Sequence, residues 1–223
     1  MEKFLYDEFN QLEESFWWFA GRRKIVISFV EKILQGRNRP IILDVGCGTG
    51  FNLIELQKLG DTYGAEMAET ALLYLKKKGL GDKVFKTSLP ELRVSGEYDL
   101  ISCLDVLEHV EKDEDSLCSL ASKLKSDGRL ILTVPAYKWL WSEHDIVAHH
   151  IRRYSKKELV AKIDGAGLKI ERLTYFNTFL FIPAAIFRFF CRKPKTTGVR
   201  SDFSYRWGFM ENIFFRIFSL ESK

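Results

Sequence analysis

Two groups of residues in this chain have the types and spacing for chemistry. The first is the run Ile41-Ile42-Leu43-Asp44-Val45-Gly46-Cys47-Gly48-Thr49-Gly50, joined further on by Glu66. Glycine at alternate positions lets the backbone turn tightly and lets a ligand lie against it without Cβ atoms in the way. Glu66 follows Asp44 by 22 residues, where a carboxylate can accept hydrogen bonds from both hydroxyls of a ribose. Together these features read as a nucleoside site. A dinucleotide site would carry G-x-G-x-x-G, with a helix N-terminus on pyrophosphate. This loop reads G-C-G-T-G, and an acid stands two positions before it. An acid there favours a cationic ligand and opposes a pyrophosphate. Asp44 also has a plainer option, capping the turn after its strand.

The second group follows Pro135. It holds Tyr137, Trp139, Trp141, Glu143, His144 and Asp145, then His149, His150, Arg152, Arg153 and Tyr154. An imidazole titrates near neutrality and can take a hydroxyl proton, so His150 is the first candidate base and His144 the second. Glu143, His144, Asp145, His149 and His150 are also ligand types, but their spacing fits no standard site and no metal is expected. His150 and Arg152 have the alternative of tying the loop down by hydrogen bonds. Arg152 and Arg153 also suit an acidic acceptor.

The elements that must position these groups alternate. Residues 5–19 and 22–35 read as helices separated by Gly21. Short apolar runs at 41–45, 62–65, 83–86, 98–104 and 129–134 read as strands, with helices at 51–59, 68–78 and 113–125. The last of these helices is expected to stop at Asp127-Gly128. Ser155 and Glu158 form a capping-box pattern that opens a helix over 155–163. Residues 169–175 alternate as a sixth strand would. The pattern predicts an α/β fold: a doubly wound, mostly parallel sheet with helices on both faces. Its ligand loops belong at the carboxyl ends of the strands.

Composition narrows the options. A chain of 223 residues suits one domain of this class, and 46% hydrophobic with 29% charged residues is ordinary for a globular protein. Glu2, Asp7 and Glu8 interrupt any signal-like apolar stretch. Cys47, Cys103, Cys118 and Cys191 show no paired spacing, which fits reduced thiols and a cytoplasmic location. Residues 1–150 carry 19 basic and 24 acidic side chains, residues 151–223 carry 15 and 6. The basic end is rich in aromatics but shows no nucleic-acid module, so no nucleic-acid partner is expected. Its stretch 176–190 is Phe-rich, interrupted by Pro183, and followed by Arg192, Lys193 and Lys195. The uncharged part, 173–187, is shorter than the roughly 20 residues a spanning helix needs. Two compatible readings remain: a lid over an acceptor pocket, or peripheral contact with the inner face of a membrane.

At the residues quoted first, the sequence resembles the class I S-adenosylmethionine-dependent methyltransferases, near the ubiquinone-biosynthesis O-methyltransferases and bacterial and archaeal relatives of uncharacterised substrate. The resemblance covers about residues 15–175. It rests on residues 43–50, on Tyr98-Asp99-Leu100-Ile101 through Asp105-Val106-Leu107-Glu108-His109-Val110, and on Gly128-Arg129-Leu130-Ile131-Leu132 leading to Val134-Pro135. It implies a Rossmann-like methyltransferase fold and S-adenosyl-L-methionine as cofactor. The implied cofactor residues are Asp44, Gly46, Cys47, Gly48, Gly50 and Asn52 at the loop, with Glu66 on the ribose. Met67 packs on adenine, Ser88 and Leu89 lie beside it, and Leu104 and Asp105 line the methionine end. Relatives usually place an acid after the third strand. Here Thr87-Ser88-Leu89 stands there instead. The run Phe16-Trp17-Trp18-Phe19-Ala20-Gly21-Arg22-Arg23 also matches the uncharacterised relatives, with an Arg for the cofactor carboxylate and a Trp as lid. The antiparallel strand that normally completes the sheet has no clear candidate, since 213–220 reads better as a helix.

The expectation is one domain in three parts: an N-terminal helical cap at 1–36, a cofactor-binding core at 37–175 and an aromatic, basic, helical C-terminal extension at 176–223. The expected activity is methyl transfer to oxygen, or to nitrogen, of a small or lipid-linked acceptor. The acceptor pocket is expected to be closed by residues 17–23, 137–154 and 176–190. The alternatives are a nicotinamide-dependent oxidoreductase on a similar fold, or an inactive cofactor-binding partner protein.

Overall fold

In the computed structural model, residues 3–181, 208 and 210–222 are described. Five strands, β1 (Ile41–Val45), β2 (Asp61–Glu66), β3 (Val84–Lys86), β4 (Tyr98–Leu104) and β5 (Leu124–Thr133), form one sheet in the order β3-β2-β1-β4-β5. Every pairing is parallel. β1 and β4 are the central pair, and β4 is buried at all seven positions. That explains their largely apolar character, broken only at Asp44, Asp99 and Ser102, because a central parallel strand meets helices on both faces.

The helices are α1 (Lys3–Leu12), α2 (Trp17–Leu34), α3 (Phe51–Leu56), α4 (Glu69–Lys77), α5 (Asp113–Ala121), α6 (Glu143–Val147) and α7 (Lys156–Gly165), with a C-terminal helix at Met210–Ser219. Val26, Val30 and Leu34 of α2 pack on one face of the sheet against Ile42, Leu100 and Leu104. Leu117 and Leu120 of α5 and Leu159 of α7 pack with Leu43, Val45, Ile101 and Cys103. Each fully buried Leu or Ile contributes about 1.5–3 kcal/mol by leaving water. The expected doubly wound α/β fold is therefore present, in all-parallel form, with a helix near its C-terminus. Among the described residues no helix is long and apolar enough to cross a membrane. Residues 182–190 of the Phe-rich stretch, and Arg192, Lys193 and Lys195, lie outside the described residues.

Three expectations about elements are corrected. The first break between helices falls at 13–16, and Gly21 lies inside α2. Its missing side chain makes room for the fully buried ring of Phe218, to which an added Cβ would stand 2.5 Å away. Second, α5 ends at Ala121 and β5 begins at Leu124. Asp127-Gly128 lies within β5, at the point where its register with β4 shifts. A Cβ on Gly128 would come within 2.7 Å of the Tyr98 carbonyl, so the glycine marks a bulge. Third, residues 169–175 form no strand. Leu168 and Ile170 are half-buried while Lys169 and Glu171 are exposed, but 172–175 are all exposed, so burial alternates only at the start of the segment. Alternation reports one-sided burial, however, and a strand also needs a neighbour's N–H and C=O groups in reach. The segment is held instead by Arg129–Glu171 (2.7 Å) and by stacked rings of Tyr137 and Tyr175. The capping box at Ser155 and Glu158 is formed as the sequence suggests.

Candidate active site

Strand order reverses between β1 and β4, and ligands of such sheets bind outside the carboxyl ends of the strands at that reversal. The 46–50 loop leaves β1 there. Gly46 has φ +71° and packs so closely on Val106 that a Cβ would lie 2.3 Å from its Cγ2. Gly48 has φ +54° and open space where its side chain would be. The N–H groups of Gly46 and Cys47 both donate to the Ala65 carbonyl, which ties the loop to the end of β2.

Glu66 is buried at that end. One of its oxygens accepts from the Gly48 N–H (2.9 Å), the other from the N–H groups of Met67 and Ala68 (2.8 Å each). It therefore braces the glycine loop and fixes the entry to α4. Asp44 is fully buried. Its Oδ1 accepts from Ser102 Oγ at 2.6 Å, while its Oδ2 has no hydrogen-bond partner among the described residues. Burial pushes its carboxyl up to about 7, with Glu13 and Glu66 adding to the rise and Ser102 and Arg22 opposing it. Asn52, Met67, Ser88, Leu89, Leu104 and Asp105 all line the same cleft. Met67 is 63% exposed, Leu89 and Leu104 are buried and Ser88 is half-buried.

The N-terminal part closes over this loop. Arg22 of α2 pairs with Asp105 at 2.8 Å and donates to Thr133 Oγ1 at 3.1 Å, so it reaches across the ends of β4 and β5. Arg23 turns away and donates to the carbonyls of Glu13 and Glu14. The Glu13 carboxylate in turn accepts from the Thr49 hydroxyl of the glycine loop. Burial raises its pKa. Glu13 carries no motif, and only the fold brings it to residue 49.

At the other end of the cleft lie the ionisable residues after β5. Asp145 is completely buried. It takes two bonds from Arg153 (2.8 Å each), one from the Ser142 N–H (2.8 Å) and one from the Nδ1 side of His150 (2.9 Å). Burial alone would raise its carboxyl, but His150 and Arg153 hold it well below the usual range. His150 and His144 both line the cleft, and their rings stand 5.9 Å apart. Nε2 of His150 points to Glu108 at 3.9 Å, beyond hydrogen-bond reach. Glu108 is fully buried, and neither carboxyl oxygen has a hydrogen-bond partner among the described residues. Burial, with Asp105 adding, raises its pKa well above the ordinary range. His109 packs edge-on to His150, 4.8 Å between ring centres, and burial lowers its pKa to about 4. Glu108, His109 and His150 bring ligand-type atoms within 4.8 Å of one another, although Asp145 already engages Nδ1 of His150. Arg152 turns to Asp113 at 2.7 Å, away from the acceptor role considered for it.

Residues 17–22, 137–154 and 176–181 all contribute to one cleft of about 2480 Å³. Single-ligand pockets run to roughly 300–1,000 Å³, so the space exceeds one small molecule. Trp18 stacks with Phe176 and Phe218, and Tyr137 packs on Tyr175 and Phe181. A loop for a nucleoside and a buried Asp–His pair thus open on one aromatic-walled space, an arrangement suited to removing a proton while excluding water.

Comparison with known proteins agrees with this geometry. Residues 18–173 match the family model of a methyltransferase domain. The chain is 32% identical over 145 residues to the mitochondrial ubiquinone biosynthesis O-methyltransferase of Schizosaccharomyces pombe, covering 57% of this chain and 53% of that protein. It is 31% identical over 165 residues to the ubiquinone biosynthesis O-methyltransferase of Rickettsia canadensis, covering 65% and 70%. The match thus spans about half of the yeast protein. In fold it is similar to an S-adenosylmethionine-dependent methyltransferase from Clostridium acetobutylicum, with a TM-score of 0.59, 15% identity and coverage of 75% and 87%. A family match over most of the chain, on a sheet and loop of this design, places it among the class I S-adenosylmethionine-dependent methyltransferases.

Proposed function

We propose that this chain methylates a hydroxyl group on a small, lipid-linked acceptor, with His150 as the base. The observation that carries the reading is the buried Asp145–His150 pair opening on the same cleft as the glycine loop and Glu66.

The residues present fit the cofactor. Gly48 leaves open space at the loop, and Asp44 keeps one buried oxygen without a partner. When bound, S-adenosylmethionine supplies a methyl group on a positively charged sulfur, a good leaving group. Asp44, Gly46, Cys47, Gly48, Gly50 and Asn52 would hold its amino-acid part, with Leu104 and Asp105 beside it and Arg22 near the carboxylate. Glu66 would take the ribose, and Met67, Ser88 and Leu89 the adenine. His150 accepts the hydroxyl proton at Nε2, with His144 as the second candidate. Trp17, Trp18 and Tyr137 exclude water from the reacting groups.

The acceptor class is supported by the walls of the cleft and by relatives named for ubiquinone biosynthesis. An aromatic wall of this extent suits an apolar chain attached to the methylated head. Exposed Trp139, Trp141 and Phe179, each next in sequence to a residue that lines the cleft, suit contact with a membrane surface that holds such an acceptor. The oxidoreductase alternative fits less well, because Asp44 opposes a pyrophosphate.

The test is calorimetry with S-adenosylmethionine and with NAD. S-adenosylmethionine is expected to bind and NAD not. Glu66→Ala is expected to weaken that binding by about 2 kcal/mol, roughly thirtyfold, through lost charge-assisted hydrogen bonds. Unchanged affinity in the variant overturns the cofactor assignment. Transfer of a labelled methyl to octyl gallate, a phenol with an apolar chain, then separates an active enzyme from an inactive partner protein.

A further inference from the structure

The loop between β5 and α7 contains more than a candidate base. α6 opens with a capping box, in which Ser142 stands at the N-cap and Asp145 reaches back to it. Asp145 does not stop at capping. Its Oδ1 accepts from Arg153 Nε and faces His150 Nδ1, and its Oδ2 accepts from Arg153 NH2 and the Ser142 N–H. A carboxylate with this many donors, one of them a two-pronged guanidinium, stays ionised even when buried. An ionised carboxylate only accepts hydrogen bonds. Nδ1 of His150 must therefore carry the proton of the 2.9 Å contact, which leaves Nε2 with its lone pair.

The backbone enforces the same geometry. His149 takes φ +58°, which turns the chain back so that the His150 N–H donates to the Asp145 carbonyl at 2.8 Å. His150 is thus held by Asp145 at two points, and the edge-on ring of His109 packs against it. Its Nε2 faces the side where the carboxyl of Glu108 stands 3.9 Å away, too far to take up the lone pair.

We propose that Asp145, clamped by Arg153 and Ser142, is a positioning residue that locks His150 in the Nδ1–H tautomer and presents Nε2 as a proton acceptor to the cleft. It acts through His150 and touches neither cofactor nor acceptor. This rests on the reading of His150 as base.

The chain has four histidines, so ring-nitrogen signals of ¹⁵N-histidine-labelled full-length protein can be assigned with His150→Gln. The wild type is expected to show His150 as the Nδ1–H tautomer. Asp145→Asn, which can donate to Nδ1, is expected to shift the tautomer ratio at least tenfold toward Nε2–H. It should also lower kcat on octyl gallate about a hundredfold, within the range of general-base effects, while S-adenosylmethionine affinity stays within twofold. An Nε2–H tautomer in the wild type overturns the proposal, even if Asp145→Asn fails to fold. An unchanged tautomer in a folded Asp145→Asn overturns it as well. Full turnover by His150→Gln, with the wild-type tautomer as expected, instead removes the base reading alone.

Discussion

Asp99 at one end of the sheet and Asp44 and Glu108 at the other treat burial in opposite ways. At the amino ends of the strands, Asp99 is met from every side: Arg37 at 2.9 Å, Lys125 at 2.7 Å and the Ile41 N–H at 2.7 Å. Burial pushes its carboxyl up, but these partners outweigh burial and hold it below the usual range. At the carboxyl ends, Asp44 keeps one oxygen without a partner among the described residues, Glu108 keeps both, and Arg22 keeps its Nε. Both carboxyls are pushed up by burial. A fold gains nothing from unpaired buried polar groups, which cost roughly 1–3 kcal/mol each. The amino end is built for stability, and the carboxyl end carries the cost of groups arranged for a ligand.

The largest expected effect tests the amino end. Asp99→Asn leaves Arg37 and Lys125 facing a neutral amide and should destabilise the fold by about 3 kcal/mol, with S-adenosylmethionine affinity unchanged. The loss should shrink as pH falls, because a depressed carboxylate contributes its stability above the ordinary carboxylate pKa and loses it below. Denaturant titrations at pH 7 and pH 3.5 check both statements. A change in cofactor affinity would break the division between the two ends.

The next effect belongs to Asp44. Burial pushes its carboxyl up to about 7, and when ionised it attracts a cationic ligand. Affinity for S-adenosylmethionine should therefore rise about tenfold between pH 6 and pH 8, with proton release on binding. Asp44→Asn should make affinity flat over this range. The effect on stability has the opposite sign. A carboxyl with raised pKa binds its proton more tightly when folded, so its contribution is lost as pH rises from about 4 through 7. Calorimetry in buffers of different ionisation heat checks the first statement and thermal melts check the second.

The smallest effect sharpens the contrast. Glu108→Gln makes the same kind of change as Asp99→Asn, but at a carboxyl whose pKa burial raises rather than one its partners hold down. Its cost at pH 7 should stay below about 0.5 kcal/mol, since no charge pair is lost. A loss near that of Asp99→Asn would mean that Glu108 is ionised.

How much of this could be read in the sequence depends on how far apart the cooperating residues are. Asp44, the glycines and Glu66 were legible because a strand, a tight loop and the next strand fix their spacing within 25 residues or so. The capping box at Ser155 was legible because both partners lie in one helical turn. Gly21 was misread as a helix break. Its purpose is the ring of Phe218, nearly two hundred residues later. The early start of β5 was missed because Asp127-Gly128 looks like a stop and acts as a bulge. Asp145 was named as one ligand type among several, although its partners Arg153 and His150 stood in the same run. Only the folded loop shows that all three point inward. Glu13 carried no local signal, and Glu108 stood in a quoted run without a role of its own, because burial and distant neighbours give them their character.

The contact of Glu221 with the start of the Phe-rich segment has a further consequence. Its carboxylate accepts from the N–H groups of Asn177, Thr178 and Phe179 and from the Thr178 hydroxyl, across 42 to 44 residues of chain. It thus satisfies backbone donors that the first turn of a helix leaves orphaned, and it does so from the 3-10 turn Leu220–Ser222 that follows the C-terminal helix. The aromatic wall beside Phe176 and the helix that carries Phe218 therefore belong to one cooperative unit. Melting of either should raise amide exchange in both, and a single charge-neutralising change, Glu221→Gln, should loosen the wall without touching a residue that lines it.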